Sequence, residues 1–454
     1  MIRLELGLLL RDRAAVAVSF VFLVLAVVSS LVSARHVRVH SDALETARVL
    51  AVGARDTARA ALPEDTSAPL AARDSRDPAF VGRELGALAP LAPAPLASVS
   101  HGLRDTRPQV FRVTTGPLES AALTATAPMR GPSRDATGPF DPAFVFVVLF
   151  PLVAIALSYD LLSGERERGT LALLLSQPVT QRQLVASKAA ARGLLLGATG
   201  LVAAAAGALV AGDALFTSMG AVYAAGIAAY ALFWFALAIA VNSRGWSSAQ
   251  NALVLVGAWL LLVVIVPGLL RAFVEARYPP PSRVELVNEA REAAEEAEAE
   301  LGAIVGTHGT ATPPNATQRA AAVQEELARR TEPVIAAFRQ QRDLQQATVE
   351  SFQVASPAIV LQELFNDVAG TGARRQQVFE DAVDRFHREW RAWFVAAKDR
   401  HLTAVDYAGL PAFSSAEPPG ALQASLWRLA ILMVPGLILL AAALPGLRRI
   451  GRLA

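Results

Sequence analysis

The residues of this chain with the most chemical potential lie between Ser158 and Arg192. Glu165, Arg166, Glu167 and Arg168 alternate in sign over four positions, and Asp160 precedes them. Such a run can hold the counter-charges of a neighbouring helix or of a partner, or it can stay a solvated turn. Gly169 breaks the run. Thr170 can then cap a short helix that places Leu171, Leu174 and Leu175 on one face, and Pro178 ends it. Thr180 and Gln183 have the spacing of a capping box at the start of a second helix, which carries Arg182 and Lys188. The chemistry on offer is docking. A small apolar face edged with charge suits burial in the groove of a soluble partner.

Bond-making chemistry is not signalled. The chain has no G-x-x-x-x-G-K-[ST] phosphate loop, so no ATP hydrolysis is expected of it. It has no H-E-x-x-H, and no G-x-S-x-G in a strand–turn–helix setting. Cysteine is absent, which excludes disulfides and thiolate metal sites. His36 and His40 are four apart and could share a helix face, but they lack carboxylate or cysteine company. They read as interfacial polar side chains, and no metal or other cofactor is assigned to the chain. The net charge of +2 gives no reason to expect nucleic acid.

The elements that must position the charged segment are membrane spans. Hydrophobic residues make up 53% of the 454 positions, above soluble composition. Six runs are long and apolar enough to cross a bilayer: 14–32, 143–162, 193–212, 220–241, 252–270 and 426–447. The first is not a signal peptide, because no clean cleavage site follows it and five more spans do. Residues 1–13 form a candidate amphipathic surface helix. The spans hold no mid-membrane carboxylate or base of the kind an ion-coupled carrier keeps. Arg428, near one end of the sixth, is expected to snorkel outward. Gly193 and Gly197 suggest close helix packing, and Pro151, Pro267 and Pro435 suggest kinks.

Arginine and lysine in the short segments set the expected orientation. Arg3, Arg11 and Arg13, the 163–192 segment, Arg244, and the 448–454 tail all fall on one side, which is then cytoplasmic with both termini. Two long inserts, 33–142 and 271–425, fall outside. The first should hold a helix over 41–62 with Ser41 as its N-cap, an extended polyproline-like stretch over 88–97 and a strand over 109–115. The second should be helical over 283–301, 317–353, 356–368 and 371–401, standing as antiparallel helices on the membrane surface.

Glu165-x-Glu167-x-Gly169-Thr170-Leu171, then Leu174-Leu175-Ser176-x-Pro178-Val179-Thr180-x-Arg182, then Lys188, resembles the cytoplasmic signature of ABC-2-type permeases, the membrane subunits of ABC transporters. Ser356-Pro357-Ala358, Ala369-Gly370-Thr371, Arg374-Arg375 and Phe379 resemble the second insert of a bacterial branch with two large extracytoplasmic insertions. The first signature is fairly specific and the second looser; residues 33–140 match nothing familiar. The resemblance implies a mostly α, polytopic, type V-exporter-like architecture of six spans. It implies that 163–192 is the segment coupling to a separate ATPase, which would bind the ATP and Mg. It implies a second permease subunit beside the first, in the inner membrane of a bacterium. The large inserts depart from the short outer loops of many members and could serve a branch-specific periplasmic partner or gate. An exporter is the leading expectation; the other is an ATPase-driven mechanical complex that transports nothing.

Overall fold

The computed structural model describes residues 2–62, 74–104, 106–116, 140–169, 181–279, scattered helical positions between 288 and 340, and 341–450 save 342 and 416. Six of its helices are long and apolar enough to cross a membrane. They are α2 (Arg13–Ala60), α3 (Pro142–Glu167), α4 (Gln181–Ala211), α5 (Ser218–Asn242), α6 (Ser248–Arg277) and α9 (Ala421–Ile450). Short α1 (Ile2–Leu9) buries nothing internally and lies against α4. Two further helices are α7 (Pro357–Val368) and α8 (Ala373–Ala397). Local signals place the helix starts. The Asp12 carboxylate accepts from the Ala14 N–H, Thr217 from Gly220, and Ser247 with Gln250 closes a capping box at α6.

Ser41 does not start a helix. Its hydroxyl donates to the Val37 carbonyl at 2.9 Å, inside an unbroken α2 of 48 residues. At 1.5 Å per residue that helix is about 72 Å long, more than twice the hydrocarbon thickness. Its apolar half packs along α4, and α5 packs along α9. The closest approaches are at Gly200 and Gly207; of the Gly193–Gly197 pair, only Gly193 meets a neighbouring span, where a Cβ would sit 3.2 Å from the Phe235 ring. A Cβ on Gly200 would sit 2.9 Å from Phe150 and from Ile227, and one on Gly207 would strike the Ser30 hydroxyl. Gly197 has open space around it. Phe22, Phe146 and Phe150 pack with ring centroids 5.2–5.9 Å apart at the centre of the spans. Pro151 and Pro267 each follow a π-turn, Val145–Leu149 in α3 and Leu260–Ile265 in α6. The wider turn accommodates the bonding slot that a proline ring cannot fill.

Helix α7 does not stand on the surface of the span bundle. Ser356 caps it, accepting from Ala358 at 3.1 Å, and its Leu361, Leu364 and Phe365 are buried in the same core as the spans. Phe365 meets Tyr223 and Phe146 at 5.1 and 6.2 Å, and Gly226 of α5 leaves the space that Leu364 fills. The opposite face of α7 is polar and wired to its surroundings. The Ser100 hydroxyl donates to Asn366 Oδ1 at 2.7 Å, and Asp367 forms an ion pair with Arg428 of α9. Arg428 also donates to Gln353 at 3.3 Å. Its guanidinium is thus held by a half-buried carboxylate and an amide at the domain end of the sixth span.

Beyond this end of the bundle the two inserts share one core. An antiparallel pair, β1 (Ala87–Pro90) and β2 (Val110–Val113), aligns Ala87 with Val113 and Ala89 with Phe111. Against it pack Phe379, Val383, Phe386, Trp390 and Phe394 of α8, with Ala58 from the far end of α2. Trp390 Nε1 donates to the Gly82 carbonyl at 3.2 Å, and the Tyr407 hydroxyl to the Ser75 carbonyl at 2.9 Å. The expected strand over 109–115 is thus present. The stretch read as polyproline begins as the partner strand and ends in turns. The helices expected over 283–301 and 317–353 lie largely outside the described residues. Removing Trp390, which is fully buried and shared by both inserts, should cost about 3–5 kcal/mol. Trp390→Ala is then expected to expose protease sites in both inserts together, which limited proteolysis followed by mass mapping reads directly.

Candidate functional site

At the end of the bundle away from this domain, α3 finishes in a turn over 159–162 and a last helical turn, Ser163–Glu167. Gly169 closes it with φ +70, a left-handed conformation that glycine adopts at no steric cost. This neck carries the alternating charges, and each side chain goes to a different element. Glu165 accepts from Lys188 of α4 at 2.6 Å. Glu167 accepts from the Ser248 N–H at the start of α6 at 2.7 Å. Arg166 donates to the Trp246 carbonyl in the α5–α6 turn at 2.8 Å. Arg168 returns to Asp160 at 3.8 Å, which is bound more closely by Arg192 of α4 at 2.5 Å. Arg192 also donates to the Leu157 carbonyl. One short turn therefore touches three other parts of the bundle.

Beneath the charges lies a buried amide pair. Asn242 donates to the Ser158 carbonyl at 3.1 Å and accepts from Asn251 at 3.1 Å, while Asn251 also reaches the Tyr159 carbonyl at 3.2 Å. Ser163 and Ser248 share a hydrogen bond of 2.7 Å. These groups satisfy the carbonyls freed where α3 loses its helical ladder. The ends of α3 and α5 and the start of α6 are thereby fixed to one another. Lys188 keeps only 8% of its side-chain surface exposed and Glu165 20%, so the pair is largely withdrawn from water.

Of the expected coupling residues, Glu165, Glu167, Gly169 and Lys188 come together in this neck. Thr170, Leu171, Leu174, Leu175 and Pro178 lie outside the described residues. Arg182 falls in the first turn of α4, and its side chain is outside them too. The pairing of Asp160 with Arg192, and the roles of Asn242, Asn251 and Ser248, were not anticipated. Two asparagines nine positions apart at facing ends of apolar spans were the available signal. Among the described residues no group of three or more His, Asp or Glu is placed to hold a metal. His36 instead lies beside the His101 ring, with centroids 4.9 Å apart.

The sequence profile of the ABC-2 family transporter proteins matches residues 1–445. Over 125 residues the chain is 32% identical to the probable ABC transporter permease protein NosY of Pseudomonas aeruginosa. That match takes in 26% of this chain and 45% of the relative, so less than half of the relative's length is covered. With six apolar helices around a polar neck and a family match over nearly its whole length, the chain belongs to the ABC-2 transporter family and is a multi-pass membrane permease.

Proposed function

We propose that this permease is an exporter subunit driven by a separate ATPase that docks at the neck, over residues 164–192. The observation that carries the reading is the neck's construction. A docked partner pushing on Gly164–Gly169 would act at once on α4, on the α5–α6 turn and on α6, through the bonds of Glu165, Arg166 and Glu167. Leu171, Leu174 and Leu175 would supply the apolar face buried by the partner, and Arg182 its charged edge. ATP and Mg belong to that partner, and this chain makes and breaks no bonds. A second permease subunit completes the path. In this reading the protein sits in a bacterial inner membrane with the neck and both termini in the cytoplasm and the shared domain outside.

The chain has no native cysteine, so labelling is a direct check of orientation. An impermeant thiol reagent applied to intact spheroplasts should leave Arg182→Cys unmodified. It should label Val405→Cys, whose parent side chain is 80% exposed on the domain. The reverse pattern would invert the topology.

A second reading, an ATPase-driven mechanical complex that transports nothing, is favoured by one observation. Helix α2 runs unbroken through the bundle and delivers Ala58 to the core of the far domain. Movement at the bundle therefore reaches that domain without an intervening hinge. Vesicles holding the complete complex separate the two readings. ATP-dependent movement of a substrate supports the exporter, and ATP turnover coupled only to an envelope partner supports the mechanical role.

A further inference from the structure

At the opposite end of α6 from the neck, a cavity of about 370 Å³ opens between that helix, α7, α8 and the segment around Val349. Its size lies within the range of small-ligand pockets, roughly 300–1,000 Å³. The floor is apolar, made by Leu270 and Val274 of α6 with Val349 and Ile359. The rim is charged, with both signs present. Arg271 and Glu275 stand one turn apart on α6 and are paired at 2.8 Å; Arg107 and Glu380 of the domain are paired at 3.6 Å. Arg271 and Glu275 keep 82% and 58% of their side-chain surface exposed, so their mutual attraction is weak and exchangeable. On the neighbouring face of α6, Leu269 and Phe273 are exposed, and Phe273 meets Phe352 edge-on at 6.2 Å. The helix changes there from an apolar span to charged residues. The mouth therefore lies where hydrocarbon gives way to headgroups.

We propose that this cavity binds a zwitterionic phospholipid with a primary ammonium, drawn from the bilayer leaflet at the domain end. One acyl chain enters against Leu270, Val274 and Ile359. The phosphate replaces Glu275 as the partner of Arg271, and the ammonium takes Glu275. A headgroup carrying both charges leaves neither side chain unpaired. A purely anionic headgroup strands the carboxylate beside a second negative charge, and a quaternary ammonium offers the carboxylate no N–H to accept from. The proposal does not depend on where the ATPase docks.

The test is exchange of the purified full chain, in detergent, against vesicles of phosphatidylethanolamine, phosphatidylcholine or phosphatidylglycerol, with retained lipid read by native mass spectrometry. Phosphatidylethanolamine should be retained about fivefold over either of the others, the upper end of what an exposed charge pair supports. Arg271→Gln with Glu275→Gln should abolish the preference while leaving total lipid unchanged. Leu270→Trp should reduce total lipid, with Ile359→Phe as the substitute if that variant fails to fold. Equal retention of the three lipids, or a preference surviving in the double glutamine variant, would overturn the proposal. Stronger retention of phosphatidylglycerol would overturn it in favour of an anionic-lipid site.

Discussion

Replacing Glu165 by alanine should destabilise the neck by about 3 kcal/mol, the lower end of what breaking a buried ion pair costs, since Glu165 is one-fifth exposed. The effect arises because Lys188 stays where it is. Its side chain is 8% exposed, and among the described residues Glu165, at 2.6 Å, is the carboxylate it pairs with. Without that partner it must be desolvated alone or drag the start of α4 outward. The melting temperature of the purified protein should fall, and ATPase retention should fall with it. The charge-exchanged pair, Glu165→Lys with Lys188→Glu, should recover much of the stability. A single variant that melts like the wild type would mean that water already screens this pair.

Leu174→Asp should abolish docking of the ATPase while sparing insertion of the permease. Burying one leucine contributes on the order of 1.5–3 kcal/mol, and an unpaired carboxylate in the same groove adds a further penalty. The two together exceed what an association surface of a few leucines can absorb. Co-purification reads the result. Normal ATPase recovery with normal transport would leave Leu171, Leu174 and Leu175 as an anchor resting on lipid. Comparison with Glu165→Ala separates the two roles of the segment. The aspartate variant should lose its partner at unchanged melting temperature, whereas the alanine variant should lose stability first.

The spans were legible because twenty apolar residues in a row have few other uses, and hydropathy alone finds them. The alternating charges at 165–168 were legible as a site but not as a junction, since Glu165 and Lys188 are 23 positions apart and nothing local encodes their meeting. Ser41, with Glu45 nearby, has the look of a cap, yet no helix starts there. A helix already running from Arg13 continues through it, and the hydroxyl simply bonds back one turn. Helix α7 was the harder case. Its apolar stripe at 358, 361, 364, 365 and 368 has the same 3.6-residue period whether it faces a soluble core or a bundle of spans. Periodicity gives the face and not its destination. The union of the two inserts was invisible for a related reason. The short strands Ala87–Pro90 and Val110–Val113 pair with each other inside the first insert, and nothing local says that their apolar face will be covered by a helix as distant as 373–397.

That union has a bearing on how the protein is made. Gly82 and Trp390, which share a hydrogen bond in the common core, are 308 positions apart. Spans α3 to α6 are synthesised between them. At about 5–20 residues per second, the ribosome needs on the order of 15–60 s to supply α8 after the first strands have emerged. Through that interval Val81, Phe111 and Val113 have no aromatic wall to lie against. The waiting half is a two-stranded pair whose apolar face is uncovered, the kind of surface that aggregates. Maturation of this permease is therefore paced by translation, and a pause in synthesis between the two halves lengthens the time for which the nascent chain needs a chaperone.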